Sequence, residues 1–348
     1  MIPPPGRKRA RRSRSCAKRS PGCARRRPSA RTRSGSVAEG AKRAQGKGST
    51  RRELNRRRSL PWYRRSNLAP VLVGAAVVTL IGYAALSRGG SPEQTSPSIP
   101  VVGGDLHSLV VNPNDPATLY AGGHQAVSVS HDGGKTWSKV DSLDNADAMG
   151  WAFTDDAILV GGHPGISVSR DGGQTFEMAN EGLPATDIHA LGAGDGVIYA
   201  GSPAIGVLAS TDEGNTWEVR SDQDGHAFMG RIVVDSEDPE HLLAPDMEAG
   251  AAESSDGGRT WTALGGVQGA MWVTWDGDDT SHIIVSGAGA AAESTDGGKT
   301  WESLEIPEGA SIVEMSPDDA EVLFAAVHDD PNVDLWTSRD GGDTWEQT

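Results

Sequence analysis

The side chains of this 348-residue chain that could do chemistry are histidines, two methionines and a crowd of carboxylates, all beyond residue 100. Set in register at a period of about 42 residues, His107, Met149, His189, Gly230, Met271 and Ser311 take equivalent positions. His124, His163, Asp246, Glu248, His328, Asp329 and Asp330 take equivalent loops, and His226 joins them, so that six of the nine histidines share one side. Imidazole, thioether and carboxylate together suit a soft or borderline metal, so a divalent or copper ion is one expectation. No fixed-spacing ligand motif of the HExxH kind accompanies them, and a mixed polar lining with water is the other expectation. Asp105, Asp147, Asp187, Asp224, Asp246, Glu248 and Asp329 could instead supply a glycosidase pair, about 5 Å apart for retention or about 6.5–9.5 Å for inversion. With 47 acids in the chain, several on one side are expected by chance. Arg231 is the one arginine expected there.

What positions these residues is a repeat. SHDGGKTW from Ser130, SRDGGQTF from Ser169, STDEGNTW from Ser210, STDGGKTW from Ser294 and SRDGGDTW from Ser338 are near-copies. SSDGGRTW, read from Ser255 with a one-residue register slip at Ser254, is the sixth. The aspartates Asp132, Asp171, Asp212, Asp256, Asp296 and Asp340 are separated by 39, 41, 44, 40 and 44 residues. Such a period, with one hairpin signature per unit, is that of a β-propeller blade. Within each copy a short apolar strand runs into Asp-Gly-Gly or Asp-Glu-Gly, where glycine supplies positive φ and the carboxylate can accept from nearby backbone N–H groups. The aromatic that follows (Trp137, Phe176, Trp217, Trp261, Trp301, Trp345) opens the next strand and covers the hairpin. Six copies at six azimuths cannot converge on one substrate, so their role is structural.

These motifs resemble the Asp-box (BNR) repeat, S-x-D-x-G-x-T-W, of sialidase-like and glycosyl-hydrolase-like propellers, over about residues 104–348. The resemblance implies an all-β fold in which each box joins the third and fourth strands of a blade, away from the ligand face. In the first unit the strands are expected at Ser108–Val111, Thr118–Ala121, Ala126–Ser130 and Thr136–Val140, and six such units give a six-bladed propeller. A seventh would need a blade without a box. Ile99–Val102 could add an outer strand. The resemblance also implies a sialidase site with three arginines, a tyrosine nucleophile and an acid/base aspartate, and here the sequence departs. Bidentate guanidinium pairing anchors a substrate carboxylate, yet the outer domain holds only Arg170, Arg220, Arg231, Arg259 and Arg339. Three of these lie in boxes, and Tyr120 and Tyr199 fall on second-strand core positions.

Charge divides the chain. The 32 Lys+Arg and 47 Asp+Glu give −15 overall, but residues 1–66 carry +21 and residues 67–348 carry −36. The 45 glycines, about 13% against roughly 7% in ordinary proteins, and 10 Trp against 4 Phe and 4 Tyr exclude a mostly helical fold. Residues 1–66 read as a disordered basic cytoplasmic tail; nucleic-acid or anionic-lipid contact, an inert solvated tail, and a later translation start are its alternatives. Residues 67–87 read as a transmembrane helix: Leu68–Leu86 is 19 residues without a charge, close to the roughly 20 that span a bilayer. Arg64 and Arg65 place the N-terminus in the cytoplasm and everything after Ser87 outside; a cleaved signal peptide is the rival reading. Cys16 and Cys23, the only cysteines, then lie inside, leaving the outer domain without a disulfide.

The expectation is therefore a plasma-membrane-anchored, extracytoplasmic propeller (residues 104–348) on a linker (88–103). It would bind a protein, polysaccharide or cation without chemistry, nucleic acid being disfavoured by the −36. A non-sialidase glycoside hydrolase is the first alternative, and a metal-binding propeller using His107, His189 and Met149 or Met271 is the second.

Overall fold

The computed structural model describes residues 98–222 and 225–348. The expected tail and membrane helix, most of the expected linker, and Asp224 lie outside the described residues. Among the described residues no helix is long and apolar enough to cross a membrane.

Five four-stranded sheets and one five-stranded sheet follow one another along the chain, antiparallel but for one parallel pair. Blade 1 comprises Leu106–Val111, Leu119–Gly123, Val127–Ser130 and Ser138–Lys139, and blade 2 Gly150–Phe153, Ile158–Gly162, Gly165–Ser169 and Glu177–Met178. Blade 3 comprises Ala190–Gly194, Val197–Ser202, Gly206–Ser210 and Glu218–Ser221. Blade 4 comprises Val233–Val234, Leu242–Asp246, Gly250–Ser254 and Thr262–Gly265. Blade 5 comprises Trp272–Trp275, Ile283–Gly287, Ala290–Ser294 and Glu302–Leu304, and blade 6 Ala310–Ser316, Asp319–Asp329, Asn332–Ser338 and Glu346–Gln347. The ring is the expected six-bladed propeller. The first strand of blade 1 starts two residues earlier than the sequence suggests, and the fourth is trimmed to two exposed residues, because an outer edge has no further sheet to pack against.

In five of the six blades the innermost strand is continuous, but in blade 4 it is split. Gly230–Arg231 pairs in parallel with Ala190 and Leu191 of blade 3 before Val233–Val234 joins its own sheet. Adjacent blades touch closely near the axis. A Cβ on Gly192 would lie 1.9 Å from the Ile232 carbonyl oxygen, so only glycine lets blades 3 and 4 meet there.

The core is layered between neighbouring sheets, and its largest buried side chains are two indoles at the centre. Trp151 stacks on Tyr120 with ring centroids 4.7 Å apart and donates to Ser108 Oγ at 2.8 Å. Trp272 donates to Glu314 Oε2 at 2.8 Å. Glu314, wholly buried on the innermost strand of blade 6, also takes Arg231 Nη1 of blade 4 at 2.6 Å. Residues from blades 4, 5 and 6 thus converge on one buried carboxylate.

Each box folds as its chemistry requires. In blade 1, Asp132 Oδ1 accepts from Ser130 Oγ (2.9 Å), Lys135 N (3.1 Å) and Thr136 N (2.8 Å), while Oδ2 accepts from Thr136 Oγ1 (2.7 Å). Ser130 Oγ in turn accepts from Gly134 N at 2.9 Å. In blade 4 it is Ser254 whose hydroxyl donates to Asp256, at 2.9 Å, so the fourth box has no register slip and starts at Ser254. The box aromatics also tie blades together: Trp301 Nε1 donates to Leu264 O at 2.9 Å, and Trp345 Nε1 to Glu305 O at 3.0 Å.

Residues 98–103, expected as the end of a linker, are built into the ring. Val101 bridges Asn332 of blade 6, while Val101 N donates to Ser128 Oγ of blade 1 at 2.9 Å. Val102 N donates to Pro331 O at 3.0 Å, and Ala126 N donates to Val102 O at 2.8 Å. Ser98 Oγ accepts the Trp137 amide at 2.7 Å, the service that Ser142 performs for Phe176 one blade on. The expected outer strand is instead a strap between the first and last blades. It closes the ring without strand exchange, and its Ser98 meets the box aromatic of blade 1.

Candidate functional site

The starts of the first strands and the loops between second and third strands lie on the side opposite the boxes. There the end of each second strand passes directly under the chain entering the first strand. A Cβ on Gly162 would lie 2.0 Å from Asp147 O, so the Gly-His pair at 162–163 sets the imidazole beside Asp147. Asp147 itself adopts a left-handed backbone, φ +51, sparsely populated by non-glycine residues. Such strain costs on the order of 1 kcal/mol or more and fixes where its carboxylate points.

Four histidines and two aspartates from blades 1 to 3 form one connected group. His107 Nε2 lies 2.8 Å from His124 Nδ1 and 3.1 Å from Asp147 Oδ1, and His124 Nδ1 is 3.7 Å from that same oxygen. Asp147 Oδ2 is bonded by His163 Nδ1. On its other side His163 Nε2 lies 2.6 Å from Asp187 Oδ1 and 3.3 Å from His189 Nε2, and His189 Nε2 is 2.9 Å from Asp187 Oδ1. The Asp147 side chain is 6% exposed and that of His107 10%, whereas His124 and His163 are about half exposed.

Three buried atoms in this group lack a hydrogen-bond partner: His107 Nδ1, Asp147 Oδ1 and Asp187 Oδ1. The two carboxylate oxygens have imidazole nitrogens within reach, but not in hydrogen-bonding alignment. Burial pushes the His107 pKa down, against the pull of Asp147. The hydrogen bond to Asp147 pushes that of His163 up, with burial opposing. Each half of the group, His107–His124–Asp147 and His163–Asp187–His189, has its ligand atoms within 4.8 Å of one another and could hold a metal ion.

The remaining expected site residues scatter. Met149 is buried at the start of blade 2 and Met271 half-buried at the start of blade 5. Asp246 is wholly buried and spends its oxygens on His226 Nδ1 (2.6 Å), Ala227 N (3.1 Å) and Glu248 N (2.9 Å). Glu248, Asp329 and Asp105 are exposed, and His328 is half-buried on the second strand of blade 6. Arg231, expected on the ligand face, is turned inward: paired with Glu314, it lines cavities of about 150 and 50 Å³ with Pro113 and Val234, which lie at or just past the far ends of first strands. The split strand of blade 4 and the demand of a buried carboxylate for a cation decide this. Two further cavities, of about 270 and 280 Å³, lie where blades 1 and 6 meet. None of these four is lined by the histidine–aspartate group.

Asp147 and Asp187 were legible only as glycosidase candidates. The signal that pairs them with the histidines is positional: Asp105, Asp147 and Asp187 each stand two residues before one of the equivalent blade-entry positions, His107, Met149 and His189.

Comparison with known proteins supports the fold. The BNR/Asp-box repeat family matches residues 128–139 and 292–303. The chain is similar to a GH74 xyloglucanase from Xanthomonas campestris, 19% identical over 72% of this chain and 46% of the enzyme, TM-score 0.53. It is also similar to a GH74 enzyme from Niastella koreensis, 14% identical over 72% of this chain and 46% of that one, TM-score 0.51. YCF48 from Cyanidioschyzon merolae is 18% identical over 73% of this chain and 86% of its own, TM-score 0.45. The chain thus spans less than half the length of the two GH74 enzymes. No curated protein sequence matches it.

Proposed function

We propose that the chain is a membrane-anchored, extracytoplasmic binding or assembly module whose histidine–aspartate face, on blades 1 to 3, receives a protein, polysaccharide or cation and breaks no covalent bond. One observation carries the reading. On that face Asp147 Oδ2 is bonded by His163, and Asp187 lies within 3 Å of two imidazoles. Next to it in blade 4 the buried Asp246 is bonded by His226, so none of the three stands free across a cleft. A glycosidase needs one carboxyl to deliver a proton and another to attack or to activate water, across a pocket that holds a sugar. The likeness to GH74 enzymes, at under 20% identity, extends to the fold and no further.

The anchor rests on Leu68–Leu86 and the arginines before it. The test is direct. The full-length protein is offered a panel of aryl glycosides and xyloglucan oligosaccharides, and no turnover above background is expected. Turnover that Asp147→Asn or Asp246→Asn abolishes would overturn the binding-module reading. Protease added outside intact cells should degrade the propeller and spare the basic tail.

A further inference from the structure

We propose that the face on blades 1 to 3 is a paired metal centre, two adjacent sites for a divalent transition ion of the zinc class. The first is made by His107 Nε2, His124 Nδ1 and Asp147 Oδ1, the second by His163 Nε2, His189 Nε2 and Asp187 Oδ1. The inference rests on reading this face as the ligand face and names what it takes first.

The proton count of the metal-free group motivates it. Two imidazole nitrogens and a carboxylate oxygen meet in the first trio at 2.8, 3.1 and 3.7 Å. If His107 carries its proton on Nδ1, that buried N–H has no acceptor, and a lone pair on Nε2 faces a carboxylate. If it carries the proton on Nε2, Nδ1 is a buried acceptor without a donor. Either tautomer leaves Nδ1 an orphan, with an ion on Nε2 or without one, so the case for an ion rests on the Nε2 lone pair and on Asp147 Oδ1. Asp147 Oδ1, on a side chain more than nine-tenths buried, is unpartnered as well and aims into the same space. A cation among the three atoms would take the His107 Nε2 lone pair and the Asp147 oxygen together. The second trio repeats the pattern at 2.6, 2.9 and 3.3 Å, with Asp187 Oδ1 unpartnered.

The dimensions suit a small ion. Zinc binds imidazole nitrogen and carboxylate oxygen at about 2.0–2.2 Å, which in tetrahedral geometry separates ligand atoms by about 3.3 Å. The six separations, 2.6–3.7 Å, bracket that value. Two histidines and one carboxylate leave a fourth position open at each ion, and half-exposed His124 and His163 put the opening at the surface. Borderline nitrogen ligands select against calcium and magnesium, which take oxygen donors.

The link between the trios also fits. His163 Nδ1 bonds Asp147 Oδ2, fixing the tautomer that frees His163 Nε2 for the second ion while Asp147 Oδ1 serves the first. Ligating histidines are commonly held through their second nitrogen by a carboxylate in this way. Other histidines of the ring do not compete: His241 has Asp235 on Nδ1 and Glu253 on Nε2, both at 2.9 Å.

The experiment is equilibrium dialysis of chelator-stripped full-length protein against zinc chloride, read by elemental analysis, with millimolar magnesium and calcium present. About two zinc ions per chain, bound at micromolar Kd or tighter, are expected. His124→Ala, at a half-exposed side chain, and His189→Ala, at a partly exposed one, should each remove one equivalent or weaken one site at least tenfold. Cys16→Ser/Cys23→Ser and His282→Ala should keep both. Cobalt chloride should give four-coordinate d–d absorption that His124→Ala halves. Absence of binding at 100 µM zinc, or full stoichiometry in the His124→Ala/His189→Ala double variant with an unchanged melting curve, would overturn the proposal. Glycoside turnover would instead overturn the binding-module reading and leave these counts untouched, so the two failures are distinct.

Discussion

The ring places carboxylates on both of its faces, and it treats them differently. On the box face Asp171 accepts from Ser169 Oγ, from the Gln174 and Thr175 amides and from Thr175 Oγ1, at 2.6–3.0 Å. Those bonds, led by the Thr175 hydroxyl, draw its pKa down to about 2. The histidines on that side are satisfied too: His282 Nε2 meets Glu293 at 2.6 Å, and His131 Nδ1 meets Thr118 Oγ1 at 3.0 Å. On the opposite face, in blades 1 to 3, Asp147 and Asp187 meet imidazoles that cannot all be matched donor to acceptor. Unmatched buried atoms also occur elsewhere, at Tyr120 Oη, Arg220 Nε and Ser221 Oγ, so what sets this face apart is the clustering of mismatched carboxylate oxygens among imidazoles. A group already holding all its partners has nothing left to offer a ligand.

The largest way to break the comparison acts on the axis between the faces. Glu314→Ala should cost about 3–5 kcal/mol in urea unfolding of the full-length protein, since it strands Arg231 in the interior. Glu314→Leu combined with Arg231→Met should recover part of that, because it removes the stranded guanidinium but leaves the buried Trp272 Nε1–H without its acceptor. No recovery would show that the ion pair stabilises by more than mutual neutralisation.

Next comes the scaffold face. Ser130→Ala leaves the Gly134 amide, buried in the first box, without its acceptor and should cost about 1–3 kcal/mol. A change within error would mean that one box is dispensable to the ring. Acid should act on the same face. A carboxyl whose folded pKa is depressed adds stability above its unfolded pKa and loses it as pH falls through the folded value. Stability should therefore decline between about pH 4 and pH 2, and Asp171→Asn should flatten that limb in melts run at stepped pH.

The smallest effect is expected on the candidate site. With chelator present, His163→Ala should change stability by no more than about 0.5 kcal/mol, as for other half-exposed groups. Its sign is informative. The folded pKa of His163 is raised, so its contribution is complete below about pH 6.5 and fades as pH rises through the folded value. The variant should be slightly weaker than the parent at pH 5.5 and equal to it at pH 8.5. A larger loss at pH 8.5 would make the residue part of the scaffold.

The blades were legible because each is local. The box folds within eight residues: Asp132 reaches amides three and four positions on, and glycine supplies the backbone the turn demands. Six such units at a near-constant spacing imply a ring, and the strand positions followed to within two residues. The site was legible only in part. His107, His124, His163 and His189 could be placed on one face by register, but register does not say which neighbouring blades bring side chains into contact. Asp147 depends on a left-handed backbone and on Gly162 beneath it. Arg231 was misplaced because a side chain at the right height in its blade can still turn inward when the centre holds a carboxylate.

By itself the sequence determined the period, the six hairpins, the all-β class and the side on which the histidines stand. Each of these follows from interactions spanning fewer than about ten residues, or from counting. The tertiary structure alone decided which histidine meets which aspartate, what meets the buried Glu314, and how the ring is closed. Those outcomes join residues as far apart as Val101 and Asn332, or Arg231 and Glu314. Burial forces such partners together, since a charge or amide withdrawn from water must find its complement among whatever the neighbouring blades present.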